Sequence, residues 1–328
     1  MSLKILHGLF LLVVLSLSCG GGALAAEPLT IFFKTSPTID RVRPFADPVN
    51  LSILVTGADG RPLERGSVEL RLDAPRAGSW LSTDIPLVEG TRLLEVRLPL
   101  RQGRANWKYL MPIRGQYRLF VDAASEDGGK SSQVLEFTVS ENRFKWVTLS
   151  GFSLALVLFG FAAGKVFTSA KSASALLLTI CFGLGGRALA AAELEQQHGA
   201  AHFDIEAATV GKPSRVQWRL DGALANSPAA LTLNITHLEK EKIVFAVERL
   251  AVPGEFAMNY HFPDGAEYRV TAVAEFQGRA PVNVEKIISV TGVGPPAKAM
   301  IPALSYFLAL IALGLVGGRW SKRRGTKK

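Results

Sequence analysis

Hydrophobic positions along this chain follow two patterns. In four blocks they run on continuously, and elsewhere they alternate with polar residues in short stretches broken by turn signals every 8–12 residues. The second block, Trp146 to Gly164, has 19 residues without a charge between Lys145 and Lys165. The fourth, Ala299 to Gly318, has 20 between Lys298 and Arg319. At about 1.5 Å per residue each can cross a hydrocarbon core of roughly 30 Å. The third, Ser172 to Gly186, has 15 uncharged residues and reaches spanning length only by extending through Arg187 to Ala192. A terminal Arg tolerates this by reaching back to the headgroups. The first, Leu9 to Leu17, is preceded by Lys4 and followed by Ala23-Leu24-Ala25-Ala26, the pattern of a secretory signal peptide cut after Ala25 or Ala26. Cys19 raises a lipoprotein reading, which Ser16 disfavours by standing where an aliphatic residue is wanted.

The alternating stretches predict strands. Val49 to Val55 reads VNLSILV, Ala58-Asp59-Gly60-Arg61-Pro62 supplies a turn, and Ser67 to Leu72 (SVELRL) returns. Leu93 to Leu98, Gln116 to Val121 and Val134 to Val139 continue the pattern. About seven such strands in roughly a hundred residues suit an immunoglobulin-like sandwich. The expected fold class is therefore all-β: two extracytoplasmic immunoglobulin-like sandwiches plus three transmembrane α-helices. The expected order is a signal peptide (1–26), a first sandwich (27–144), a helix (146–167), a signal-like helix (172–192), a second sandwich (193–297), a helix (299–318) and a basic cytoplasmic tail (319–328).

That order repeats. Residues 20–27 read GGGALAAE and residues 185–193 read GGRALAAAE, each after an apolar run and each before a β-rich stretch that ends in an apolar helix. Duplication or fusion of one unit, 1–167 and 172–320, accounts for the match. Ala188-Leu189-Ala190 has the small-x-small form of a signal-peptidase site, so retention and cleavage of the internal segment both stay open, with Arg187 arguing for retention. In each unit a turn is followed by a Tyr opening a late strand, Tyr117 after Gly115 and Tyr268 after Gly265, as in the tyrosine corner of such sandwiches. Gly160-x-x-x-Gly164 and Gly314-x-x-x-Gly318 close the second and fourth blocks with the small residues that let helices approach in lipid. Trp146 and Trp320 suit the membrane interface.

Charge orients the chain. Lys4, Lys165, Lys171, Arg319, Lys322, Arg323, Arg324, Lys327 and Lys328 lie in the segments assigned to the cytoplasm, with no acidic residue among them. Removing these nine from 37 basic residues leaves 28 against 28 acidic ones, so the net charge of +9 sits on one side, as the positive-inside rule requires. The basic balance thus reports topology and argues against nucleic acid as a partner. Hydrophobic residues make up 48 % and mean hydropathy is +0.23, high for a chain with 20 % charge. The two cysteines, Cys19 and Cys181, both lie in apolar blocks, so neither sandwich has a disulfide.

Catalytic signatures are missing: no G-x-S-x-G, H-E-x-x-H, C-x-x-C or phosphate-binding loop occurs. No enzyme activity and no obligatory cofactor are expected. One set of side chains has metal-binding chemistry. His198, His202, Met258 and His261 fall in the second unit, and imidazole and thioether suit copper. The plain alternative is linker and strand histidines with solvent contacts. The phrases ADGRPLERGSVEL (58–70) and RGQYRLFVD (114–122) resemble small bacterial periplasmic immunoglobulin-like domains of the YtkA-like and FixH-like kinds. That resemblance implies a small exported β-sandwich, with copper chemistry in some members. The first unit has no His, so the metal part does not carry over to it.

The reading is a non-enzymatic, multi-pass protein of the bacterial cytoplasmic (inner) membrane. Its periplasmic domains would bind or scaffold another exported protein or a membrane complex. The alternative is a copper-handling or oxidase-assembly accessory protein. The expected partners are the membrane and another envelope protein, and oligomeric state is open.

Overall fold

The structure, a computed structural model, describes residues 29–78, 82–166, 194–196, 201–225 and 227–325. The proposed signal peptide and the third apolar block (172–192) lie outside the described residues. Among those described there are 15 strands and two α-helices, and both helices are long and apolar enough to cross a membrane.

The first repeat supplies β1 (Thr30–Ser36), β2 (Val49–Thr56), β3 (Gly66–Asp73), β4 (Arg92–Pro99), β5 (Arg104–Tyr109), β6 (Gly115–Ser125) and β7 (Lys130–Val139), then α1 (Arg143–Val166). The second supplies β8 (Leu194–Gln196), β9 (Ala201–Ile205), β10 (Pro213–Leu220), β11 (Ala229–His237), β12 (Lys242–Val252), β13 (Glu255–His261), β14 (Glu267–Phe276) and β15 (Arg279–Ser289), then α2 (Ala297–Gly325). Period-2 burial confirms why these segments are strands. In β11 every second residue from Ala229 to His237 is buried, and in β3 Val68, Leu70 and Leu72 point inward while Glu69 points out. Between β2 and β3 the turn needs Gly60, whose φ is +75°, and Asp59 Oδ1 accepts the Arg61 N–H at 2.9 Å.

The strands do not form two separate sandwiches. They form two long antiparallel sheets that both run through both repeats. The eight-stranded sheet has the order β1-β2-β5-β12-β11-β14-β15-β8, and the seven-stranded sheet β7-β6-β3-β4-β13-β10-β9. Within each repeat three strands lie in one sheet (β1-β2-β5; β9-β10-β13) and four equivalent strands in the other (β7-β6-β3-β4; β15-β14-β11-β12), to which the second repeat adds the short edge strand β8. The repeats join where β5 meets β12 and β4 meets β13. One contiguous buried core, from Leu29 to Val290, fills the space between the sheets.

The join is reciprocal. Tyr109 stands opposite Phe245, and Tyr260 stands opposite Leu94. Tyr109 and Tyr260, Leu94 and Phe245, and Tyr117 and Tyr268 are each separated by the same 151 residues. Such exchange of equivalent contacts is the signature of a two-fold interface, here between repeats of one chain. The equivalent tyrosines Tyr109 and Tyr260 meet edge-on at the join, ring centroids 6.3 Å apart and both fully buried. In each repeat the loop before the inter-repeat strand also reaches across. Lys240 Nζ lies over the Phe45 ring, 4.0 Å from its centroid, and Leu87 lies against Gly211.

Candidate functional site

The predicted copper ligands are not brought together. His202 on β9 stands opposite Arg219 on β10, which stands opposite Glu255 at the start of β13. His261 is six residues further along β13, about 20 Å at the ordinary strand rise. Met258 is buried on the core face of β13, and an odd spacing of three puts His261 on the opposite face. His198 lies outside the described residues. Among the described residues no three His, Cys, Asp or Glu side chains converge as a metal site.

Each of the three described histidines instead has a structural partner. His202 Nδ1 lies 2.9 Å from Asp221. His237, fully buried, lies 3.2 Å from Asp264 and packs edge-on to Tyr268. Burial of Asp264 opposes its ionisation, but Lys240, the Tyr268 hydroxyl and His237 outweigh that and hold its carboxyl below the usual range. His261 bridges the repeats. Its Nε2 accepts the Gly211 N–H at 3.1 Å, and its Nδ1 lies 3.1 Å from Thr91 Oγ1 of the first repeat. Thr91 Oγ1 already donates to the Val88 carbonyl at 2.7 Å. Nδ1 must therefore carry the proton, and the imidazole is neutral. Burial pushes its pKa below the ordinary histidine value, against a smaller opposing effect from the Arg92 backbone.

Tyr117 and Tyr268 fold back on the chain four residues upstream. The Tyr117 hydroxyl donates to the Ile113 carbonyl at 2.5 Å and accepts the Ile113 N–H at 3.1 Å. The Tyr268 hydroxyl bonds the Asp264 carboxylate, with the Asp264 carbonyl at 3.4 Å.

The four glycines Gly160, Gly164, Gly314 and Gly318 lie on one seam. A Cβ on Gly160 would meet the Ile311 carbonyl oxygen and lie 3.2 Å from the Gly314 Cα, and one on Gly164 would lie 3.0 Å from the Leu315 Cα. The contacts advance together along both helices, from Val157 beside Gly314 to Phe161 beside Gly318, so α1 and α2 run parallel. Ser153 and Tyr306 share a hydrogen bond at 3.2 Å, Phe152 meets Phe307 edge-on, and Lys322 Nζ reaches the Lys165 carbonyl at 3.2 Å.

At the end of the sheets remote from the helices is a cleft of about 790 Å³. Its floor is the small cross-strand pair Ala230 and Ala251, and its rim carries Arg101 from the first repeat with Arg249, Arg279 and Glu275 from the second. Arg249 pairs with Glu275 at 3.7 Å, and Arg101 Nη1 donates to the Arg249 carbonyl at 2.9 Å. Sequence reasoning missed this cleft because it depends on which strand ends lie side by side.

No family model matches the chain, and no curated protein matches it. Among solved structures, it is similar to a tetra-tandem repeat in the extending region of a large adhesion protein, at 12 % identity and a TM-score of 0.23, over 81 % of this chain and 49 % of that one. The chain thus spans about half the length of that neighbour. It is also similar to the PmoD soluble domain from Methylocystis sp. ATCC 49242 (Rockwell), at 13 % identity and 0.24, over 36 % of this chain and 100 % of that one. A third likeness is to Escherichia coli alpha-2-macroglobulin in its native conformation, at 10 % identity and 0.28, over 82 % of this chain and 16 % of that one. None of these likenesses is strong enough to transfer fold or function to this chain.

Proposed function

We propose that the chain is a non-enzymatic, membrane-anchored scaffold of the bacterial envelope, two fused immunoglobulin-like sandwiches held rigidly above the inner membrane to engage another exported protein or membrane complex. The observation that carries the reading is the continuity of both sheets through both repeats. It makes the β region one stiff platform rather than two beads on a linker. The cleft rimmed by Arg101, Arg249 and Arg279 is the surface best suited to an acidic partner, since arginine forks match carboxylates in paired hydrogen bonds. The copper alternative has lost its geometric support with the separation of His202 from His261.

Chain direction supports three crossings. The parallel helices α1 and α2 both run away from the sheets. At 24 residues α1 carries the chain about 36 Å from them. β8 then resumes beside the lower half of β15, pairing Leu194 with Ile287. We therefore propose the third apolar block, which lies outside the described residues, as a return crossing of the intact chain. The alternative is cleavage near Ala190, which would free the second repeat as a separate chain.

Two measurements test the reading. Alkaline phosphatase fused after residue 140 or 290 should be active, and fused after 169 or 328 inactive; activity at 328 refutes the three-crossing topology. A photo-crosslinker in place of Ala251 should give one adduct of discrete mass in intact cells, diminished by Arg279→Glu. A smear of adducts insensitive to Arg279→Glu would refute the partner surface.

A further inference from the structure

The two repeats depart from their symmetry most at one place. Between β11 and β12 the second repeat has a tight turn, Leu238 to Glu241. Between β3 and β4 the first repeat has residues 74–91. This longer loop is built, not merely inserted. The Ala74 N–H donates to the Thr91 carbonyl and the Gly90 N–H to the Pro75 carbonyl, both at 2.8 Å. Glu89 accepts from Ser82 Oγ at 2.9 Å and from the Thr83 N–H. Val88 is fully buried, and Ile85 and Leu87 pack on the main core. Asp84 at the loop's lower edge is ion-paired to Lys145 in the first turn of α1, and Lys145 also lies 3.5 Å from Glu141.

The loop therefore forms an overhang at the foot of the sheets. Beneath it is a groove of about 380 Å³. Ile85 and Leu87 form one wall, Pro263 and Val293 another, and Met300 and Ala303 on the first turns of α2 the third. The groove is mainly apolar and opens sideways onto α2, whose next residues Ile301 and Leu304 are exposed apolar side chains. Met300 and Val293 are themselves 54 % and 46 % exposed. An apolar surface of this kind is costly to leave in water. On the membrane-anchored reading, on which this inference rests, hydrocarbon covers the exposed face of α2, and the groove adjoins that face through Ala299, Met300 and Ala303.

We infer that the groove under residues 82–87 takes an acyl chain of a membrane lipid, lifted beside the start of α2. The occupant is set by continuity. The apolar surface of the groove and the lipid-facing surface of α2 are one surface, and its two charged side chains, Asp84 and Asp264, are already engaged by Lys145 and Lys240. The second repeat, with only a tight turn at the equivalent place, has no loop from which to build such an overhang.

The test uses the full chain in nanodiscs containing a phosphatidylcholine with a diazirine midway along one acyl chain. After irradiation, adducts are mapped by mass spectrometry. Adducts on Ile85 or Leu87 and on Val293, together with adducts on the exposed helix residues Leu313 and Val316, are the expected result. Ala303→Phe, which fills the groove from the helix side, should reduce the loop adducts at least tenfold and leave those at Leu313 unchanged. Adducts at Leu313 and Val316 with none on Ile85, Leu87 or Val293 would overturn the inference and leave the anchoring intact. Adducts on neither groove nor helices would overturn both. Should Ala303→Phe disturb folding, collisional quenching of a nitroxide at Leu87→Cys decides instead: quenching by a lipid-soluble agent supports the inference, and quenching only by a water-soluble one overturns it.

Discussion

Replacing Gly314 by Leu probes the helix seam most directly. A Cβ at that position would sit against the Val157 carbonyl oxygen, 2.8 Å from the Phe161 nitrogen and 3.0 Å from the Gly160 Cα. All three neighbours are backbone of the facing helix, so no rotamer change relieves the clash. Carbon atoms rest at about 3.5–4.0 Å, and the helices must therefore part by roughly 0.5–1 Å at this level, forfeiting a quarter to a half of the dispersion well along the seam. Overpacking of this kind costs about 1–3 kcal/mol, which is about a 5- to 150-fold loss of association. The control is Gly151→Leu, because nothing lies within 4 Å of a Cβ there. Energy transfer between labelled segments 143–166 and 297–322 in bilayers measures the equilibrium, since spanning helices are stable before they associate. Gly314→Leu within twofold of the parent, or Gly151→Leu equally harmful, would refute the assignment of the seam to these glycines.

The remaining predictions concern the β platform. Tyr117→Phe keeps the ring stacked on Phe137 at 5.5 Å but leaves the Ile113 carbonyl and N–H without their shared partner; denaturant unfolding should show a loss of about 1–3 kcal/mol, and no loss would show that the corner hydroxyl is dispensable. His261 has a pKa lowered by burial, so its stabilisation is complete above the unfolded value of about 6.5 and is lost as pH falls below it. Melting temperature should accordingly drop between pH 7.5 and pH 5, with a shallower drop in His261→Asn; equal slopes would contradict the bridging role. Copper titration of the full chain should give an affinity unchanged by His261→Ala, and a large loss in that variant would reinstate a metal site built on it.

The strands were legible in the sequence because one face of each sheet is core and the other is solvent, which imprints a period of two. The alternation in Ser67 to Leu72 and Gln116 to Val121 is of this kind. The joining of the repeats was not read, although one signal for it was present. Ile243-Val244-Phe245-Ala246-Val247 is an unbroken apolar run, and Val244 to Val247 are all buried. Such a run marks a strand covered on both faces and both edges, as β12 is where it meets β5. The glycine seam was legible because spacing along a helix fixes which side chains share a face. The copper set failed for the converse reason. Histidines on neighbouring strands are near or far according to register, and register is decided by partners that the local sequence does not name. His202 and His261 share a sheet and still lie six rows apart.

The same reasoning explains why one chain contains both repeats. In a lone repeat β4 and β5, or β12 and β13, would be open edges, and an open edge is a template for unwanted pairing. Here each repeat closes both edges of the other, through β5 with β12 and β4 with β13. The buried pair Tyr109 and Tyr260 would otherwise lie at exposed sheet ends. Fusing the partners removes the concentration dependence that a dimer of single repeats would carry. It also relaxes the symmetry. Two identical chains must carry the same loop at both equivalent positions, whereas fused copies can diverge. The chain departs from its two-fold at residues 74–91 against 238–241, while the joining strands and the glycine seam keep equivalent contacts. Conserved equivalence at the join is what stability requires, and the long loop over the first turns of α2 is where a task peculiar to the fused chain has room to reside.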